Sequence, residues 1–152
     1  MFTTIKRANG PRALLRKLSR RGAINPHAVA FILTERTFRG PFFRTAELCY
    51  GAFCVYALRR DPNVTLGHCQ VSFRYWRRRY GNDNVSLFLA TLSDVAIYEV
   101  CCTYLEANKK VTLEETIICY NGKPSVLYAK LFFENLARVR ECVSQLRLLV
   151  ID

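Results

Sequence analysis

Acidic side chains are nearly missing from the first half of this chain. Residues 1–80 hold only Glu35, Glu47 and Asp61, against 16 Lys and Arg. Three carboxylates among so many cations make a poor two-metal nuclease site, which needs acidic ligands gathered in one place. Histidine is scarce, with His27 and His68 alone, so few side chains titrate unperturbed near neutrality. No glycine-rich phosphate loop and no Cys-x-x-Cys pair occur, and no sequence-near nucleophile and base suggest a triad, His68 beside Cys69 reading as a helix-surface or packed histidine. These gaps point away from catalysis: a non-enzymatic protein needing no cofactor and no metal is expected. Spanning segments are missing too. Ala46–Leu58 is too short to cross a bilayer, and Val85–Leu105 carries Asp94 and Glu99. Lys6, Arg7 and Arg12 interrupt any apolar run at the N-terminus, which argues against a secretory leader. A cytoplasmic chain with no membrane partner follows as the expectation.

What is present is a globular composition with an uneven charge. At 152 residues, 51% apolar and 23% charged, the chain reads as one folded domain over 1–152, large enough to bury a core. The net charge of +11 comes wholly from the first half, since residues 81–152 hold seven basic and nine acidic side chains. Such asymmetry predicts a polyanionic partner. The seven cysteines fall in apolar stretches and read as reduced, buried thiols. Cys49, Cys54, His68 and Cys69 are the sharper alternative, a zinc site, although their spacing matches no familiar one.

The segment that stands out is Phe73–Tyr80, Phe-Arg-Tyr-Trp-Arg-Arg-Arg-Tyr. Read as a helix over Leu66–Tyr80, it places Leu66, Cys69, Phe73, Trp76 and Tyr80 on one narrow seam. Arg74, Arg77 and Arg78 then fan out along one flank below Gln70, and Arg79 lies on the other. Guanidinium groups are permanently charged forks suited to phosphate oxygens. Tyr75 is placed to stack on a base or sugar, while Trp76 and Phe73 anchor the helix. A solvated basic face packed on its own aromatics is the plainer reading.

Elsewhere the pattern is helical. Met1–Gly10 reads as an arm, and Pro11 opens a helix to about Arg21, closed by Gly22. That helix sets Leu14, Leu15 and Leu18 against Arg12, Arg16, Lys17, Arg20 and Arg21, a second candidate phosphate-binding surface. Asn25-Pro26 opens a helix to about Leu33, and Thr34–Arg44 reads as a Phe-rich loop. Thr45 is expected to cap a helix to about Arg60, apolar all round and therefore central. Thr65 is expected to cap the basic aromatic helix. Val85–Ala107 reads as the longest apolar helix, with Leu87, Leu89, Leu92, Val95, Ala96, Tyr98 and Cys102 mostly inward. Strand remains open for Val111–Tyr120, where β-branched residues cluster.

Residues 112–149 form the third candidate region. Thr112-Leu-Glu-Glu115 is a capping box starting a short helix, Gly122-Lys123-Pro124-Ser125 is a turn, and Ser125 caps a helix from Val126 to about Leu149. In a helix-turn-helix the start of the second helix reads the major groove, which here means Lys123, Ser125, Tyr128 and Lys130. The runs Leu113-Glu-Glu-Thr-Ile117, Pro124-Ser-Val126 and Ala129-Lys-Leu-Phe-Phe133 resemble the helix-turn-helix-like segment of small helical proteins encoded by bacteriophages and mobile elements. A sigma-factor-like or transposase-like arrangement is similar as well. The resemblance covers about residues 112–137 and implies a regulatory or DNA-handling role. It departs from the pattern at Ile118, where a small residue is usual, and at Lys123, where an apolar one is. In the last helix Leu127, Leu131, Phe132, Leu136, Val139, Val143 and Leu146 share a face, and Phe133 points away from it. Phe133 is therefore either covered by a second layer or part of an interface, as a homodimer with two half-sites would require.

The sequence thus predicts an all-α, compact multi-helix bundle with a helix-turn-helix-like C-terminal unit. It predicts a nucleic-acid binder, DNA ahead of RNA, using Arg12, Arg16, Lys17, Arg20, Arg21, Arg74, Arg77, Arg78 and Arg79 on phosphates. The alternative is a protein-interaction module, in which the same basic face and the exposed Phe residues grip a host or viral protein. A metal-dependent nuclease drawing on Asp83 and Asp94 ranks third.

Overall fold

A computed structural model describes residues 10–62, 65–66 and 70–151, without the side chains of Thr65, Leu66, Phe73 and Arg74. The arm over residues 1–9, and His68 and Cys69 of the zinc alternative, lie outside the described residues. The chain forms an all-α multi-helix fold with one small hairpin.

Local chemistry sets most of the helix starts. Proline, pre-set in φ and needing no amide partner, opens α1 (Pro11–Ser19), α2 (Pro26–Phe38) and α3 (Pro41–Ala52). The Asn25 carboxamide caps α2 by accepting from the His27 and Ala28 amides at 3.0 and 3.1 Å. Beyond a π-helical turn (Phe53–Ala57), Thr65–Leu66 (β1) pairs antiparallel with Val71–Ser72 (β2). Then come α4 (Phe73–Tyr80), α5 (Asn84–Ala90), α6 (Asp94–Ala107), α7 (Leu113–Asn121) and α8 (Val126–Leu146). The capping box at Thr112 and Glu115 is complete, with both amide-to-side-chain bonds at 3.2 Å. Ser125 caps α8, and Gly122 makes the left-handed turn between α7 and α8. Val111–Tyr120 is therefore helical from Leu113 onward.

The central helix is α2, buried continuously from Ala28 to Glu35. Its main neighbour is α8, with α6 beside it. Phe31 stacks on Tyr120 at 4.1 Å between ring centres and tilts against Phe132 at 4.4 Å. Helix α1 lays Leu14, Leu15 and Leu18 on α8, α2 and α6. Ile24 pairs with Val150 in a parallel bridge, tying the last residues to the start of α2.

Several expectations are corrected. Thr34–Arg44 is not a loop: α2 runs on to Phe38, Gly40 turns at φ 59°, and α3 begins at once. Thr45 caps nothing, because it lies inside α3 with its hydroxyl donating to the Pro41 carbonyl at 3.0 Å. That helix is not central either. Phe42, Phe43, Tyr50, Phe53 and Tyr56 all face outward, since the inward side is taken by Arg44 and Glu47. Residues 85–107 are two helices bent by 101°. Thr91 ends α5 by donating to the Phe88 carbonyl, and Ser93 caps α6. The bend leaves Leu89 and Leu92 exposed rather than inward. Among the described residues no single helix is long and apolar enough to cross a membrane.

Candidate functional site

The helix expected over Leu66–Tyr80 starts only at Phe73. Leu66 lies in β1, Cys69 is outside the described residues, and Gln70 takes a left-handed backbone at φ 51° just before β2. Trp76 anchors α4 as expected, fully buried, its indole N–H donating to the Val71 carbonyl at 3.2 Å. The Arg74 side chain lies outside the described residues, and Arg77, Arg78 and Arg79 each meet a different partner. Arg77 is held by Asp61 and by the Asn84 carboxamide, both at 2.8 Å. Arg79 sits 3.6 Å from Glu99, and the Tyr80 hydroxyl donates to the same carboxylate. Burial and Glu99 push the Tyr80 phenol up to about 12. Arg78 is exposed, with its guanidinium 5.3 Å from the Tyr75 ring centre. Tyr75 does not offer a free stacking face: its hydroxyl accepts from Asn108 at 2.8 Å, and its ring meets Arg78 and Tyr104.

The α1 arginines are arranged differently. Lys17 reaches Asp94 at 2.9 Å, where Arg36 joins at 2.8 Å. Burial pushes the Asp94 carboxyl up, but Lys17 and Arg36 outweigh it and hold it below its ordinary value. Arg12 donates to the Gln145 side chain at 3.3 Å. Arg16, Arg20 and Arg21 are exposed, and no carboxylate among the described residues engages them.

The C-terminal set divides as well. Lys123 and Lys130 are exposed, while the Ser125 hydroxyl is used in capping the Tyr128 amide at 3.2 Å. Tyr128 cannot read a base because it is fully buried. Phe132, Leu136, Val139 and Val143 of the expected face are buried, joined by Tyr128 and Asn135, whereas Leu127, expected inside, is exposed. Phe133 is 41% exposed and meets Phe132 edge to face, so the described residues leave it partly uncovered. Asp83 is used as the α5 cap, its carboxylate held below the ordinary range by Ser86. Among the described residues no group of three or more His, Cys, Asp or Glu could hold a metal ion.

A polar cluster in the core was not among the sequence-based expectations. Six polar or charged residues are buried among the described residues; Glu35, Arg44 and Gln70 are linked through contacts that include Glu47, and the Thr34–Asn135 pair adjoins them at the next position of α2. Glu35 is 1% exposed. One of its carboxylate oxygens accepts from the Tyr128 hydroxyl at 2.7 Å, the other from Arg39 at 3.1 Å and Arg44 at 3.5 Å. Arg44 also donates to the Glu35 carbonyl at 2.7 Å and lies 3.8 Å from Glu47. Glu47 accepts from the Gln70 carboxamide at 2.8 Å. Next along α2, Thr34 accepts from Asn135 at 3.1 Å. Burial raises the Glu47 carboxyl even with Gln70 and Arg44 beside it, and burial together with Glu35 raises the Tyr128 phenol. The signal was a lone acid in an apolar run, Ala28–Leu33 followed by Thr34 and Glu35. Ending the helix at Leu33 hid it. No protein-family model, curated protein or solved structure matches the chain.

Proposed function

We propose that this protein binds nucleic acid, DNA ahead of RNA, and that its phosphate contacts come first from α1. The observation that carries the reading is the exposure of Arg16, Arg20 and Arg21 with no carboxylate engaging them among the described residues. Opposite charges already hold Arg77 and Arg79, so the α4 pair would have to give up an internal partner before binding a phosphate. Lys123 and Lys130 supply a further cationic pair at the α7–α8 turn. A regulatory role, expected from the helix-turn-helix-like layout of residues 112–137, is part of the proposal.

The test is a salt titration of binding to duplex DNA, single-stranded DNA and RNA. Each phosphate neutralised contributes about 0.9 to the log–log slope on duplex DNA. Arg16→Ala/Arg20→Ala/Arg21→Ala should therefore flatten that slope by roughly two to three. Unchanged affinity and slope in the triple variant overturn the reading. Retention of a protein partner after nuclease treatment, with no DNA binding, favours the protein-interaction alternative.

A further inference from the structure

Helix α3 is amphipathic the wrong way round for a surface in water. Arg44 and Glu47 are the only charged residues between positions 41 and 58, and both turn inward to Glu35 and Gln70. The Thr45 hydroxyl is used up on the Pro41 carbonyl. What remains outside is a stripe of Phe42, Ala46, Cys49, Tyr50, Phe53 and Tyr56, all exposed, with Phe42 at 88% and Phe53 at 55%. It runs roughly 20 Å along the helix. Its far end carries Arg59 and Arg60, both exposed and neither engaged by a carboxylate among the described residues. The next acid, Asp61, is taken by Arg77.

We infer that this face docks on an anionic lipid surface, aromatic rings entering the headgroup region while Arg59 and Arg60 meet lipid phosphates. Aromatic side chains are favoured at that depth, and arginines near the surface add electrostatic attraction. Charge decides against a second copy of the chain as the occupant. A copy laid on this stripe brings Arg59 and Arg60 into a field of the same sign, with no outward-facing carboxylate between positions 41 and 58 to receive them. An anionic bilayer complements them. The expectation of no membrane partner is revised here because this helix, apolar in sequence, turns its aromatic side to the outside.

Flotation with vesicles of equal parts phosphatidylcholine and phosphatidylglycerol, and with phosphatidylcholine alone, tests the inference. The protein should float with the anionic vesicles and much less with the neutral ones. Phe42→Ser/Phe53→Ser should weaken flotation about tenfold or more, and Arg59→Gln/Arg60→Gln by about tenfold. Both pairs are exposed, so the melting temperature should hold. No flotation with anionic vesicles overturns the inference, as does undiminished flotation of the Phe42/Phe53 variant. So does a lipid-free dimer that this variant dissociates, which would make a second copy the occupant. The α1 triple variant should keep the share of flotation that depends on the aromatics, so this result stands apart from the nucleic-acid test.

Discussion

Replacing Arg44 by methionine removes the residue that joins α3 to the core by charge. Three things are lost together: the 2.7 Å bond to the Glu35 carbonyl, the 3.5 Å contact with its carboxylate and the 3.8 Å contact with Glu47. Methionine restores much of the stem volume, so the cost is chiefly that of carboxylates left with fewer partners. Breaking a buried pair from one side costs about 3–5 kcal/mol, and Arg39 stays on Glu35, which places the expected loss near 3 kcal/mol, the lower end of that range. For a chain of this size that is roughly a 6–12 °C fall in Tm. The cost should also depend on pH, with a sign set by Glu47. Its folded carboxyl already titrates above its ordinary 4.5 because of burial, and removing the Arg44 charge raises it further. A raised acid binds its proton more readily in the folded state. It therefore weakens the fold as pH climbs through 4.5 toward the folded value. Urea denaturation at pH 4.5 and pH 7 should show a larger loss at pH 7. A loss below about 1 kcal/mol at both pH values, the size of an exposed ion pair, would refute the claim that this cluster holds α3 in place.

Three other outcomes follow from the same geometry. Arg77→Ala/Arg79→Ala should change DNA affinity less than the α1 triple variant does, measured side by side at one salt concentration, because Asp61 and Glu99 already hold those two groups. Asp94→Asn should destabilise the fold at neutral pH and little at acid pH in calorimetry. Its folded carboxyl lies below the ordinary value, so its contribution is present above the unfolded value and disappears as pH falls through the folded one. Thr112→Ala should lower stability by about 1 kcal/mol in urea titration by removing the side-chain oxygen that accepts the Glu115 amide.

The errors of sequence reading share a cause. Over Leu66–Tyr80 the apolar residues recur at helical spacing, yet Gln70 with φ 51° reverses the chain before Val71. Periodicity cannot see a single left-handed residue. Residues 41–58 look like core because they are apolar, but hydropathy does not say which side of a helix meets water. Tyr128 sits at the start of α8, where a reading residue belongs, and is instead drawn inward by a carboxylate 93 positions earlier. For the arginines, charge was readable and availability was not. Asp61 and Glu99 flank α4 in space and take Arg77 and Arg79, whereas no described carboxylate reaches Arg16, Arg20 or Arg21.

By itself the order of residues determined where α1, α2, α7 and α8 begin and where α7 stops: Pro11, Asn25-Pro26, the Thr112–Glu115 box, Gly122 and Ser125 act within a few positions of themselves. It also determined the helical class and the excess positive charge of the first half. Only the tertiary structure decided which charges face one another, which side of α3 is outside and which carboxylate is buried. Those outcomes depend on distances between residues far apart along the chain, and no local rule carries that information.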